Sequence, residues 1–338
     1  MGIVFSEGSG LQNSVFGLSQ EPIKMFLEER GEAFEQQSML NEIFCMEKSN
    51  NAMEKITGMT GMRGFLPTGE GGAAPRDSMQ EGFSKVWEHM VWRDQFEITR
   101  EMIDDAKTMD LKGRPGAFIK GYYRTRERFG AALLGGAVAG KTAVNFGGKN
   151  FDATGADKLP MFHKAHPSAI KENKKTQSNQ FADAFSVDAL SAMESEMQGF
   201  KGDNDEILDV VPDTIIIGTK NWKLKRDVFA ALGSEKVPDS NNNNWNFQFG
   251  RWNVILWSYL DEFTKGIDAP WIMMSSQYNK DYFANVWWDR VGLEVTSEID
   301  LNTHINVWDG YARFTAGFND WRAFAVGGIS GGTKLINE

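Results

Sequence analysis

The sequence predicts a mixed α+β protein, in which helices and strands both contribute to the core. Apolar residues recur at helical spacing in residues 116–134, with Phe118, Phe129 and Leu133 on one face. Apolar and polar residues alternate strictly in residues 293–301, the pattern of a strand with one buried face. Of the 338 residues 41% are hydrophobic and 24% charged, which is typical of globular proteins and sufficient for one large or two closely packed domains.

The first part of the chain predicts an extended arm followed by two helices. Residues 1–20 are rich in Gly, Ser and Gln with scattered Phe and Leu, which favours a segment that packs on another surface. Pro22 stands in the first turn of a predicted helix over residues 21–31, and a second helical stretch covers residues 32–48. Apolar arm residues such as Phe5 have no obvious partner nearby in the sequence.

Residues 55–99 predict a glycine-hinged ribbon of two strands. A Gly- and Pro-rich stretch separates two segments that alternate like strands, and the return strand carries Val86, Trp92 and Ile98 on one side. That side mixes apolar and charged residues, so the ribbon does not simply cover a core. Because an isolated two-stranded ribbon is barely stable in water, we expect it to pack on a partner surface, which indicates assembly.

The remainder of the chain alternates between helices and strands. After the helix over 116–134, a glycine-rich stretch at residues 135–155 shows no regular pattern. The further predicted elements are a helix over 187–197, a buried strand over 212–218, a helix over 221–232, a polar tip over 238–246, a long strand over 247–260 and strands over 293–301, 304–316 and 321–327. A central α/β segment therefore lies between two parts of another unit.

The charge balance argues against a free-standing nucleic-acid binder. Lys and Arg number 36 and Asp and Glu 46, which gives a net charge of −10. Residues 112–175 are nevertheless basic, with 13 Lys and Arg against 4 Asp and Glu. This basic segment is either a solvated face or a surface turned toward something anionic.

Cysteine content and hydropathy indicate a soluble cytoplasmic protein. The single cysteine, Cys45, forms no intramolecular disulfide and no thiolate metal cage, so an oxidising compartment is not expected. The N-terminus lacks a basic flank followed by a long apolar run, so we expect no secretory signal. The longest apolar run, residues 130–140, is shorter than the about 20 residues that span a bilayer, so no membrane association is expected.

One segment matches a nucleotide-binding motif in full. Residues 135–142, GGAVAGKT, fit the phosphate-loop pattern, in which Lys141 would neutralise phosphates and Thr142 would hold magnesium. That motif must follow a buried strand and open a helix, whereas here the predicted helix precedes it. We interpret the match as a chance feature of a Gly- and Ala-rich linker and keep a phosphate-loop enzyme as an alternative.

Two further patterns do not build a catalytic or metal site. Ser330 is the centre of a G-x-S-x-G pattern, but its histidine should follow it, and the last histidine is His304. His163 and His166 form an H-x-x-H pair without an evident third ligand, and Pro167 argues against one shared helical face. We therefore expect structural histidines, no cofactor and no enzymatic activity.

Four segments together resemble the major capsid proteins of tailed bacteriophages, which have the Hong Kong 97 fold. They are VWRDQFEITREMIDDA (91–106), LPMFHKAHP (159–167), VVPDTIIIGTKNW (210–222) and ARFTAGFNDWRAFAVGG (312–328). Their order and spacing are most similar to the Mu-like major head subunit group, over about residues 55–330. Encapsulin shell proteins share this fold, so an encapsulin-like cellular shell protein is the nearest alternative.

The resemblance implies how the chain is divided. Residues 1–54 would be an N-terminal arm over neighbouring subunits, and residues 55–99 the extended loop. Residues 100–157 and 264–338 would form the peripheral domain, with residues 116–134 as its spine helix and residues 271–326 completing its sheet. Residues 158–263 would be the axial domain.

The resemblance also implies the function. The chain would be a structural capsid protein that assembles through pentamers and hexamers into an icosahedral head around double-stranded DNA. It would be assembled in the host bacterial cytoplasm, with a scaffolding protein, a portal and a decoration protein as partners. No long charged helical segment precedes the arm, which implies a separate scaffolding protein or a very short internal one. The ribbon holds only Lys55 and Lys85, neither at its tip, so covalent linking of subunits is not expected.

The expected contacts between subunits involve three groups of residues. In the extended loop they are Arg63, Phe65, Leu66, Gly69, Glu70 and Arg76; in the arm Phe5, Val15 and Phe16; in the axial loop Asn241, Asn242, Asn243, Asn244 and Trp245. Burying each apolar member would contribute about 1.5–3 kcal/mol. We expect Arg63 or Arg76 to pair with an acidic patch of a neighbour and the basic segment to face packaged DNA. A soluble monomeric binding module is the third alternative.

Overall fold

The computed structural model describes most of the chain. The described residues are 3–7, 14–61, 65, 67–69, 73, 79–105, 108–170, 172–233, 235, 245–300, 302–303 and 305–336, with residues 6–7, 14–20 and 108–112 described through their backbone. The helices are α1 (Ser14–Gln36), α2 (Leu40–Ile43), α3 (Arg100–Asp104), α4 (Thr108–Val138), α5 (Val187–Gln198), α6 (Trp222–Gly233), α7 (Leu260–Phe263) and α8 (Ser276–Tyr282), with a 3-10 turn at Trp321–Ala323. The strands are β1 (Val4–Glu7), β2 (Cys45–Lys48), β3 (Met53–Met59), β4 (Glu81–Glu88), β5 (Met90–Thr99), β6 (Ala143–Phe146), β7 (Lys149–Asp152), β8 (His166–Pro167), β9 (Thr176–Gln177), β10 (Thr214–Ile217), β11 (Asn253–Leu256), β12 (Trp271–Met274), β13 (Asn285–Asp300), β14 (Ile305–Phe318) and β15 (Phe324–Gly327).

A five-stranded sheet forms the larger layer of the molecule. Its order is β1-β13-β14-β5, and β2 also pairs with β13. The long antiparallel pair of β13 and β14 sets Val295 opposite Gly310, and β5 aligns Phe96 with Trp308. The strict alternation predicted for residues 293–301 is confirmed as far as residue 300, because Leu293, Val295 and Ile299 are buried. Leu301 lies outside the described residues.

The spine of the molecule is α4, a helix of 31 residues and about 46 Å. It packs on the five-stranded sheet through Phe118 and Ile119 at one end and through Phe129 and Leu133 further along. The predicted helix over 116–134 is too short, because the buried small and apolar residues continue to Val138. Its C-terminal glycines, Gly135 and Gly136, allow close approach of other elements.

A four-stranded sheet forms the centre of the α/β part. Its order is β11-β10-β12-β15, with β10 parallel to β11 and antiparallel to β12. All four residues of β10 are buried, and Ile215, Ile216 and Ile217 form a continuous apolar run. The predicted helices over 187–197 and 221–232 are confirmed as α5 and α6, and Ser186 caps α5 by accepting from the Ala189 N–H.

Three expectations for the N-terminal part are wrong. The chain is helical from Ser14 in one element, α1. Of the separate helix expected over 32–48, residues 32–36 belong to α1, and the remainder holds α2 and the strand β2. Phe5 lies in β1, which pairs with β13, and its side chain packs on the cluster that holds Leu27. Pairing with β13 satisfies the backbone of β1 and β2, which outweighs the local helical pattern.

The ribbon is shorter than predicted. Strands β3 and β4 pair with each other, whereas β5 leaves the ribbon and pairs with β14. The inward side changes at His89: Trp87 is buried and Val86 exposed, but Phe96 and Ile98 are buried beyond it. The single alternation expected for the return strand is therefore wrong, because its two halves face different surfaces.

Residues 271–326, which were expected to complete one sheet, contribute strands to both sheets. Only β13 and β14 complete the five-stranded sheet, while β12 and β15 pair within the four-stranded sheet. The long strand expected over 247–260 is also wrong, because residues 247–250 form a turn and only β11 is extended. The division into arm, loop, peripheral and axial parts stays a prediction. None of the helices in the described ranges combines the length and apolarity that a bilayer-spanning segment needs.

Candidate subunit interface

The phosphate-loop match lies at the wrong end of a helix. Residues 135–138 are the last turn of α4, so carbonyl groups and not amides point beyond it. Lys141 and Thr142 are exposed and lead into the hairpin of β6 and β7. Phosphates need the amide end of a helix, so this segment does not present the geometry of a nucleotide site.

His166 is a structural residue. Its Nδ1 lies 2.6 Å from Asp157 Oδ2, its Nε2 lies 3.1 Å from Asn179 Oδ1, and its ring stacks on Trp321 with centroids 4.4 Å apart. The Asn179 amide donates to three carbonyls, which holds the loop against β15. Both ring nitrogens are therefore occupied, and across the described ranges no three His, Cys, Asp or Glu side chains group as metal ligands.

The base of the ribbon is fixed to the body by a buried lysine. Lys85 of β4 donates to the Thr154 carbonyl, and its Nζ lies 3.2 Å from Asp152 Oδ2. Burial lowers the pKa of Lys85, and Asp152 opposes that shift. Burial would raise the pKa of Asp152, but Lys85 and hydrogen bonds from Thr154 outweigh it and hold that pKa below its ordinary value. This ion pair fixes where the ribbon leaves the body.

A cleft of about 370 Å³ lies between the ribbon and the body, and its lining is acidic. Arg322 neutralises part of it, with guanidinium nitrogens 3.3 Å from Asp203 Oδ1 and 3.2 Å from Asp320 Oδ1. Glu206 Oε2 is buried without a hydrogen-bond partner. A Cβ at Gly61 would stand 2.4 Å from the other Glu206 oxygen, so the ribbon approaches this carboxylate closely only because Gly61 has no side chain.

The ribbon exposes apolar side chains along its whole described length. Phe65 near its tip is fully exposed, and the further exposed apolar residues of the ribbon are Met53, Met59, Met79 and Val86. A Cβ at Gly69 would meet nothing within 4 Å. Surfaces of this kind mark sites of protein association.

The remaining predicted contact residues are distributed as follows. Trp245 is exposed at the start of a turn. Val15 and Phe16 belong to α1, whose first residues are described through the backbone. Outside the described residues lie Arg63, Leu66, Glu70, Arg76, Asn241, Asn242, Asn243 and Asn244. Their roles stay predictions.

The sequence did not single out a group of exposed aromatic residues near α6. These are Trp222, Phe229, Phe247 and Phe249. Trp222 and Phe229 are seven residues apart, as on one helix face, and the buried Leu224 and Val228 occupy the other. Because aromatic residues most often belong to a core, that spacing alone does not reveal an exposed face.

The family of the chain follows from a comparison with family models. The model described as phage capsid protein matches residues 91–327, more than two thirds of the chain. The chain belongs to the phage capsid protein family. It is a structural major capsid protein, and its role is to form the shell of a virion. The matched range begins within β5, so it covers the four-stranded sheet and β5, β13 and β14 of the five-stranded sheet, and it leaves out β1, β2 and the ribbon.

A solved phage capsid structure shares the fold of this capsid protein. The bacteriophage PhiM1 mature capsid matches with a TM-score of 0.52 and 11% identity, over 86% of each chain, which shows the Hong Kong 97-type fold. A Mycobacterium phage Patience structure matches at 0.49 and 11% identity over 97% of this chain and 92% of its own. A virus-like particle from Pyrococcus furiosus matches at 0.47 and 8% identity over 91% and 98%. No curated protein matches in sequence.

Proposed function

We propose that this capsid protein assembles through pentamers and hexamers into an icosahedral head that encloses double-stranded DNA. The observation that carries the proposal is the ribbon of β3 and β4, which exposes apolar side chains on a scaffold fixed to the body by Lys85. Copies of the same chain would cover these side chains, each contributing about 1.5–3 kcal/mol. Many modest head-to-tail contacts then close a shell.

The ribbon tip is proposed to contact an acidic patch of a neighbouring copy. Arg63 and Arg76 supply the positive charge there. The acidic cleft between ribbon and body supports this pairing, because several carboxylates line it, among them Asp203, Asp281 and Asp320. Changing either arginine to Glu should reduce particle yield, and an unchanged yield for both variants would remove this contact from the account.

Part of the basic segment is proposed to face packaged DNA. Lys120 and Arg124 of α4 are exposed and provide charge for phosphate contacts. Arg126 does not contribute, because it is buried and donates to Asp289. Replacing Lys120 and Arg124 with Gln should lower the packaged DNA length without loss of empty shells, and equal DNA content would contradict this orientation.

Assembly is proposed to take place in the host bacterial cytoplasm with a scaffolding protein, a portal and a decoration protein as partners. The direct test is expression of the full chain, alone and with the neighbouring phage assembly genes, followed by size-exclusion chromatography and negative-stain imaging. Closed particles of megadalton mass are expected. A monodisperse monomer under both conditions would overturn the proposal, and particles that hold a cellular enzyme would indicate a cellular shell.

A further inference from the structure

The outward face of α6 carries two large aromatic side chains with a cation between them. Trp222, Arg226 and Phe229 follow one another at i, i+4 and i+7, so they share one face of the helix, here called the aromatic row. Trp222 is 63% exposed and Phe229 46%, and the Arg226 guanidinium lies 5.6 Å from the Trp222 ring centre. An exposed aromatic pair of this size is typical of a protein contact.

A second apolar pair lies just before β10, with an acid between its members. Ile207 is 67% exposed and Val211 47%, and Asp209 is exposed between them. Leu208 and Val210 occupy the intervening positions and pack on the core. Ile207, Asp209 and Val211 therefore form a surface row, here called the acidic row.

The two rows match in length and in the order of their side chains. From Trp222 to Phe229 the helix rises about 10.5 Å. A fully extended run from Ile207 to Val211 would span about 13 Å, and the left-handed backbone at Asp209, with φ of 49°, shortens it. Each row thus has apolar ends roughly 10–13 Å apart or less and one charge in the middle, and the two charges are opposite.

The surrounding charges strengthen this complementarity. Asp227 accepts from Arg226 at 2.8 Å, but both side chains are exposed, and such a pair is worth little. On the acidic row the negative charge comes from Asp209 alone, because the Glu206 carboxylate packs against Gly61 and Gly202. Around the aromatic row the further basic residues are Lys220, Lys223 and Lys225.

We propose that the aromatic row of one copy docks on the acidic row of the next copy. This inference rests on the proposed function, because it assigns one contact within the shell. Two aromatic rows, or two acidic rows, would set like charges against each other, so the contact is heterologous. The acidic row precedes β10 and the aromatic row begins beyond its other end, and within the described ranges no hydrogen bond or ion pair joins them. Repetition of a heterologous contact generates a ring where the rotation between copies closes, as the proposed pentamers and hexamers require.

A charge swap tests the contact in the full chain. Arg226→Glu alone and Asp209→Lys alone should each lower particle yield at least tenfold, and the double variant should return to within twofold of the unmodified chain. The matched control combines Arg226→Glu with Glu196→Arg, an exposed acid on α5 outside the acidic row, and should not recover. Circular dichroism of all variants checks that the subunits are folded.

Cross-linking tests the same contact without relying on yield. Arg226→Cys and Asp209→Cys are introduced together into a chain in which Cys45 is replaced by Ala; the middle positions meet whichever way the rows run. Oxidised particles should give a ladder of covalent multimers up to five or six copies, while each single variant gives none beyond dimers.

The outcomes separate this inference from the proposed function. If the unmodified chain forms particles but the single reversals assemble equally well, or the cysteine pair gives no ladder, the contact is refuted and the shell remains. If the unmodified chain forms no particles at all, the proposed function fails and the contact fails with it.

Discussion

At the scale of single residues, Arg126 of α4 holds its charge almost entirely inside the protein, with 11% of its side chain exposed. It donates to Asp289 Oδ2 and to the Tyr122 hydroxyl, both at 2.9 Å, and its guanidinium lies 5.0 Å from the Trp287 ring centre. Asp289 also accepts from the Trp287 indole N–H at 2.9 Å. The charge is thus both neutralised and enclosed by rings, which ties α4 to β13.

Breaking this pair should cost more than breaking a surface pair on the same helix. Asp289→Ala leaves the Arg126 charge buried and uncompensated, so the free energy of unfolding should fall by about 3–5 kcal/mol. Glu262→Ala, which removes the half-exposed partner of Arg128, should cost less than about 1 kcal/mol. Urea unfolding of unassembled subunits measures the free energy of unfolding of both variants. Equal decreases in the two variants would contradict a buried, paired Arg126 charge.

His89 should make stability depend on pH. Burial lowers its pKa below the ordinary 6.5, and Arg290 and Arg313 add to this shift against Glu54 and Asp289. The unfolded chain therefore binds the proton more readily, and stability should fall as pH drops below about 6.5, by at most about 1.4 kcal/mol per pH unit.

The measurement for His89 compares unfolding at pH 7.5 and pH 5.5. His89→Gln should show a smaller loss of stability on acidification than the unmodified chain. If the stability of His89→Gln depended on pH in the same way as that of the unmodified chain, burial would not disfavour protonation of His89.

At the scale of elements, two glycines of α4 have opposite packing. A Cβ at Gly121 meets nothing within 4 Å and borders a small cavity, whereas a Cβ at Gly136 would stand 2.2 Å from Val144 Cγ2. Gly121→Ala should therefore stabilise the subunit by about 1 kcal/mol, because alanine favours the helix. Gly136→Ala should destabilise it by about 1–3 kcal/mol through overcrowding. Thermal unfolding measures both, and a change of the same sign would contradict this packing.

How well the elements could be predicted depended on whether their pattern was local. The strand over 293–301 and helices α5 and α6 follow from periodicity, since one face of each is buried along its length. Strand β2 could not be predicted, because its extended state depends on pairing with β13, more than 200 residues away. The change of the buried face at His89 could not be predicted for the same reason. Strand β4 pairs with β3 and β5 pairs with β14, and the local sequence does not show these partners.

At the scale of the whole molecule, the function could be predicted better than the contacts. The order of four segments identified a capsid protein, and the family match agrees with it. The arm was expected to leave its apolar residues uncovered, yet Phe5 packs on its own chain. Trp222 and Phe229 were missed because an exposed aromatic residue has the same local pattern as a buried one. The exposed apolar side chains of the ribbon are therefore the main structural support for assembly.

A high-resolution cryo-electron microscopy reconstruction of assembled particles tests most directly whether the ribbon forms contacts between subunits. We predict that Met59, Phe65 and Met79 of each copy are buried against a neighbouring copy, with Lys85 still paired to Asp152 at the ribbon base. Particles in which the ribbon folds back on its own subunit, or stays uncovered in solvent, would contradict the idea that this surface holds the shell together.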